Sequence, residues 1–270
     1  MTQQLSLSTG RISYTLQGAG PVLLLVHGFA FDRTIWEGLL PDLSIRYRVL
    51  RIDLPGFGDS TLDTPYSMDR LAEVFNAVLD AESITECVLI GHSMGGYAAL
   101  AFAEQFPEKL RGIGLCHSHP FADSPEKKEN RRRSGALIGK RGHERFVREM
   151  IPNLFAASFA EAHPGLITQL TERALSFPAA AYISGLEAMS HRPDQTALLT
   201  AYPHLPWLFV IGEADDFVPL EALKEAALVP DIASVVLLES VGHMGMFEAP
   251  RQIARRITEF ADLCYRYLPA

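Results

Sequence analysis

Three side chains in this 270-residue chain could together activate a hydroxyl group: a serine flanked by glycines, a histidine to take its proton, and a carboxylate to hold that histidine. The serine is Ser93, in Gly91-His92-Ser93-Met94-Gly95. This G-x-S-x-G spacing suits a sharp strand-to-helix turn, in which the glycines relieve crowding and the hydroxyl stands clear of the sheet edge. The same turn aims the Met94 amide at the space in front of the hydroxyl, where an oxyanion donor is needed. The competing reading is a serine that only caps a helix beside turn-forming glycines.

A serine hydroxyl is a poor nucleophile without a base. Of nine histidines, His243 fits best, because Gly242-His243-Met244 follows the last expected strand and precedes the final helix. His27 opens a loop, and His92 neighbours the serine with its side chain expected to turn away from it. His117 and His119 flank Ser118 at a strand end and are candidates to line the pocket, while His143, His163, His191 and His204 fall in a helical stretch. The carboxylate should close the preceding strand, where Gly212-Glu213-Ala214-Asp215-Asp216 offers two. Asp215 is favoured, and Asp216 would shape the turn or cap the next helix. The loop His27-Gly28-Phe29-Ala30 would supply a second oxyanion donor through the Phe29 amide, with Gly28 permitting close approach.

These residues need a sheet to bring them together. Short apolar runs at Val22–Val26, Arg48–Ile52, 87–90, Leu110–Cys116, 207–211 and 234–238 read as parallel core strands, preceded by a hairpin over 5–7 and 11–16. Helical patterns over 34–43, 67–81, 93–106, 220–228 and 246–267 lie between and after them. This alternation predicts a doubly wound, mostly parallel α/β fold. From 118 to 204 the strands stop and the pattern becomes all-helical, which predicts a core of 1–117 and 205–270 with a helical lid inserted at 118–204. Such an insertion leaves from the carboxyl ends of the strands, where ligands of α/β sheets bind. Its apolar residues, among them Met150, Leu154, Phe177, Tyr182 and Met189, could roof a pocket, although most must pack the helices together. The run Arg131-Arg132-Arg133 reads as a solvated helix face, although an arginine turned inward would suit a carboxylate-bearing substrate.

Composition narrows the class. With 48% hydrophobic and 21% charged residues the chain can bury a large core, and a net charge of −8 disfavours nucleic acid and other polyanions. Three widely spaced cysteines give neither a disulfide framework nor a metal spacing, and read as buried thiols of a cytoplasmic protein. No cofactor or metal is expected. The first residues lack the pattern of a secretory signal, and no apolar run is long enough to span a membrane. The expected partner is a small-molecule substrate; oligomeric state is not legible.

Taken together, His27-Gly28-Phe29, the turn from Asp53 to Ser60, the pentapeptide around Ser93, the loop from Gly212 to Pro219 and Gly242-His243 resemble the α/β-hydrolase superfamily, in its lidded, esterase-like branch. The order serine, aspartate, histidine is that family's order. The resemblance implies catalytic roles for Ser93, Asp215 and His243 and oxyanion amides at Phe29 and Met94. It implies a serine hydrolase acting on small to medium carboxylic esters through an acyl-enzyme. Aspartate-nucleophile relatives are set aside by Ser93. Two alternatives stand: the same residues used on carbon–carbon bonds of dicarbonyl compounds, on lactones or for perhydrolysis, and a ligand sensor or partner-binding protein on a hydrolase fold.

Overall fold

A computed structural model describes residues 2–267. Eight strands form one sheet in the order β1-β2-β4-β3-β5-β6-β7-β8: β1 Thr2–Leu7, β2 Gly10–Gln17, β3 Val22–Val26, β4 Arg48–Ile52, β5 Cys87–His92, β6 Leu110–Cys116, β7 Trp207–Gly212 and β8 Ala233–Leu238. The first two make an antiparallel hairpin whose second strand joins β4, and every pair from β4 to β8 is parallel. The α/β fold expected from the alternation of elements is therefore present. Strands β3, β5 and β7 are buried at every position, because helices cover both faces of the sheet there.

The helices obey local chemistry. Ser67 caps Met68–Ala81 by accepting a hydrogen bond from the Arg70 amide at 3.1 Å, and this helix buries Leu71, Val74, Phe75 and Val78 on one face. The helix Met94–Gln105 is alanine-rich and buried along most of its length, so it can lie close against the centre of the sheet. The single helix expected over 246–267 is broken into Gly245–Glu248 and Pro250–Asp262, the second running on into a π-helical turn over Leu263–Tyr267. Pro250 lacks the amide that would continue the first and has the fixed φ that suits the start of the second.

Between β6 and β7 the chain forms the helices Pro125–Arg141, Glu144–Met150, Ala157–Ala162, Pro164–Leu175, Ala179–His191 and Leu198–Ala201, with no strand among them. Aromatic edges join this segment to the loops that follow β3 and β4. Phe29 meets Tyr182 edge-on with ring centroids 5.5 Å apart, and Phe57 meets Phe177 at 5.5 Å and Tyr182 at 5.8 Å. Phe177 and Tyr182 thus anchor the helices, whereas Met150, Leu154 and Met189 face the cavity described next.

Candidate active site

Strand β5 ends at His92, and Ser93 turns the chain into the helix Met94–Gln105 with φ 51° and ψ −117°. A non-glycine residue at positive φ costs about 1–3 kcal/mol, so its surroundings must hold it there. The Ser93 amide donates to the Cys116 carbonyl at 3.0 Å, and the Ser118 hydroxyl donates to the Ser93 carbonyl at 2.8 Å. The flanking glycines are steric necessities: a methyl at Gly91 would collide with the Gly95 carbonyl, and one at Gly95 would lie 2.5 Å from the His27 carbonyl oxygen. Met94 follows as the first helical residue, where an amide has no partner within the helix.

His243 and Asp215 come from the loops after β8 and β7. The His243 Nδ1–H donates to Asp215 Oδ2 at 2.8 Å, which leaves Nε2 as the unprotonated ring nitrogen of the neutral imidazole. Asp215 is buried and its Oδ1 accepts from the Phe217 amide at 2.9 Å, whereas Asp216 is exposed and does not cap the helix Leu220–Ala226. Ser93, His243, Phe29 and Phe217 line one cavity of about 250 Å³. Among the described residues no hydrogen bond joins the Ser93 hydroxyl to His243, so the two are related by the cavity they share.

His117 was placed by sequence only as a pocket-lining candidate. Instead it lies behind the cavity, held at φ 50°, and its Nδ1–H donates to the same Asp215 Oδ2 at 3.2 Å. Burial alone would raise the Asp215 pKa, but the neighbouring His243 and the hydrogen bonds that His117 and His243 donate outweigh it and hold the carboxyl well below its ordinary range. His117 itself is kept neutral by burial, which outweighs the pull of Asp215. The Nδ1 atoms of His117 and His243 and an Asp215 oxygen are close enough to suggest a metal site. Both nitrogens, however, are spent as donors to the carboxylate, which leaves no lone pair there for an ion.

His92 departs from its expected orientation: it lines the cavity beside Ser93, and its Nε2–H donates to the His243 carbonyl at 2.9 Å. Burial, then the neighbouring His243 and His117, press its pKa well down, so it stays neutral. His119 lies near the cavity wall, at 3.2 Å from the Tyr97 hydroxyl. His27 fixes the Phe29 loop, with Nδ1 donating to the Gly28 carbonyl and Nε2 accepting from the Leu54 amide, both at 2.8 Å.

Glu248 gave no signal in the sequence. Its Oε2 accepts from the amides of Gly242 at 2.9 Å and Ala156 at 3.0 Å, and its Oε1 accepts from the Met244 amide at 3.1 Å. The His243 amide adds a bond to the Leu154 carbonyl at 2.7 Å. One carboxylate thus ties the histidine loop to the segment between β6 and β7.

Residues 23–256 match the alpha/beta hydrolase family. The chain belongs to that family. An esterase from Thermogutta terrifontis, solved with malate bound, superposes with a TM-score of 0.92 at 32% identity, covering 97% of this chain and 99% of that one. A pimeloyl-[acyl-carrier protein] methyl ester esterase from Aeromonas hydrophila is 31% identical over 90% of this chain and 96% of the relative. A 2-succinyl-6-hydroxy-2,4-cyclohexadiene-1-carboxylate synthase from Enterobacter is 28% identical over 92% and 95%. No helix among the described residues is long and apolar enough to cross a membrane.

Proposed function

We propose that this alpha/beta hydrolase is a carboxylic-ester hydrolase with Ser93 as nucleophile, His243 as general base and Asp215 as the acid that orients it. The observation that carries the reading is the Asp215–His243 hydrogen bond beside a strained Ser93 in one cavity. His243 Nε2 takes the Ser93 proton as Oγ bonds to the ester carbonyl carbon. The amides of Phe29 and Met94 receive the resulting oxyanion, each worth about 3 kcal/mol at the transition state. Collapse breaks the carbon–oxygen bond to the alcohol, which leaves with the proton from His243. Water, deprotonated by His243, then attacks the acyl-enzyme and frees the acid and Ser93.

In this reading residues 1–117 and 205–270 are the catalytic core and 118–204 the lid. The pair Phe29–Tyr182 supports that assignment, because it joins the oxyanion loop directly to the helices above it. The thiols of Cys87, Cys116 and Cys264 are free and buried, which supports a place in a reducing cytoplasm.

Turnover of short p-nitrophenyl esters, together with labelling by a fluorophosphonate, tests the proposal. Ser93→Ala is expected to abolish labelling and lower kcat about a millionfold. Retained turnover in Ser93→Ala would remove the serine from the mechanism, and labelling of wild type without steady turnover would favour a sensor.

A further inference from the structure

The helix Pro125–Arg141 turns one polar face to the cavity. Lys127, Asn130, Arg131 and Ser134, at spacings i, i+3, i+4 and i+7, all line it. The arginine run is thereby divided: Arg132 and Arg133 pair with Glu129 in solvent at 2.7 and 2.8 Å, while Arg131 faces inward. Behind this face Arg192 is only 4% exposed, and its guanidinium lies 3.8 Å above the ring of Tyr97, itself a lining residue one helical turn after Ser93.

Charge on this wall is not balanced. Asp123 takes Arg131 Nε at 2.5 Å and Arg192 Nη2 at 2.9 Å, so one carboxylate serves two guanidinium groups. Arg192 Nε is buried without a hydrogen-bond partner. Lys127 donates only to the Phe217 carbonyl at 3.4 Å, and among the described residues it has no ion-pair partner. The charges that act most on Lys127 are Arg131, Asp123, Arg192 and Asp215, and Asp215 is already bound by two histidines. Burial and then Arg131 press the Lys127 ammonium downward in pKa, as expected where a cation lacks a counter-charge. The wall also adjoins the reacting groups, because the Phe217 ring is 5.2 Å from that of His243. The lining also includes the apolar side chains of Phe29, Phe146 and Met189.

We infer that Lys127 and Arg131 form a carboxylate subsite, and that the ester cleaved at Ser93 carries a free carboxylate on its acyl or its alcohol part. The uncharged chain of such a substrate lies against Phe29, Phe146 and Met189, and its carboxylate supplies the counter-charge that Lys127 lacks. This inference rests on the ester-hydrolase reading.

The test compares kcat/KM within two matched pairs: monomethyl glutarate against methyl pentanoate, for a charge on the acyl part, and 4-acetoxybutanoate against butyl acetate, for a charge on the alcohol part. The charged member of one pair is expected to be favoured about tenfold or more at low salt, with the preference shrinking as ionic strength rises. Lys127→Met and Arg131→Met should each cut that preference about tenfold. A binding readout stands apart from turnover: glutarate should bind Ser93→Ala in calorimetry, and more weakly when Lys127→Met is added. Turnover of neutral esters with no charge preference in either pair, or a preference unchanged by both substitutions, would overturn the subsite and leave the esterase reading intact. Glutarate binding without turnover of any ester would overturn the esterase reading and keep the anion site.

Discussion

Asp215 is where residue identity matters most, because one carboxylate oxygen serves two imidazole donors, His243 at 2.8 Å and His117 at 3.2 Å. Two donors fix the carboxylate more rigidly than one, and so fix the direction in which it holds His243. The sequence could suggest Asp215 and His243, since each follows a strand in the proper order. It could not pair His117 with Asp215, which lies 98 residues away and shares no motif with it. A hydrogen bond to a charged group is worth about 2 kcal/mol, so His117→Val is expected to lower kcat up to about thirtyfold. It should also destabilise the fold, because a β-branched residue tolerates φ near 50° poorly. His117→Asn, which accepts that φ and keeps an N–H donor, should lose less of both. Ester kinetics and thermal unfolding on the two variants check this, and a fully active His117→Val would mean that His243 alone suffices to hold Asp215.

At the scale of elements, the parallel strands were legible because a strand covered on both faces must be apolar throughout, as β3 is over Val22–Val26. The helices after β6 were legible only as helices. Which of their side chains meet the cavity depends on the packing of several helices at once, so the split between inward Arg131 and solvated Arg132 and Arg133 has no signature in a run of three arginines. Glu248 was silent for a related reason: its three partners are backbone amides, which every sequence offers everywhere. The structure gives it a specific task, joining Gly242 and Met244 on either side of His243 to Ala156. Glu248→Ala would leave three donors without that acceptor, at about 1–3 kcal/mol each where they stay dry. A loss of about 3 kcal/mol should lower Tm by roughly 6–12 °C and reduce kcat as His243 loses its register. Glu248→Gln should fall between, since its amide keeps one acceptor oxygen and turns a donor toward a donor. Unchanged Tm and kcat in Glu248→Ala would show that the Leu154–His243 backbone bond holds the loop unaided.

Across the whole molecule, the groups that surround the site make stability depend on pH in a definite direction. His27, His92, His117 and His119 are all buried with their pKa values lowered, chiefly by burial, His119 to about 3. In the unfolded chain each takes up a proton near pH 6.5, whereas in the folded chain each stays neutral at that pH. The unfolded state therefore binds more protons below pH 6.5, and stability falls as pH falls. Each such histidine contributes a slope of at most about 1.4 kcal/mol per pH unit, and the four act in the same direction. Asp53 works in the opposite sense, since burial raises its pKa and its protonation relieves the fold as pH falls, but it is one group against four. Asp215 and Asp123, whose pKa values are lowered, give up their contributions only below about pH 4. Tm should then stay nearly constant from pH 8 to 7 and fall as pH drops below 6.5. Thermal unfolding in steps of half a pH unit checks the slope. A flat Tm from pH 7 to 5 would mean that these histidines gain protons within the folded chain.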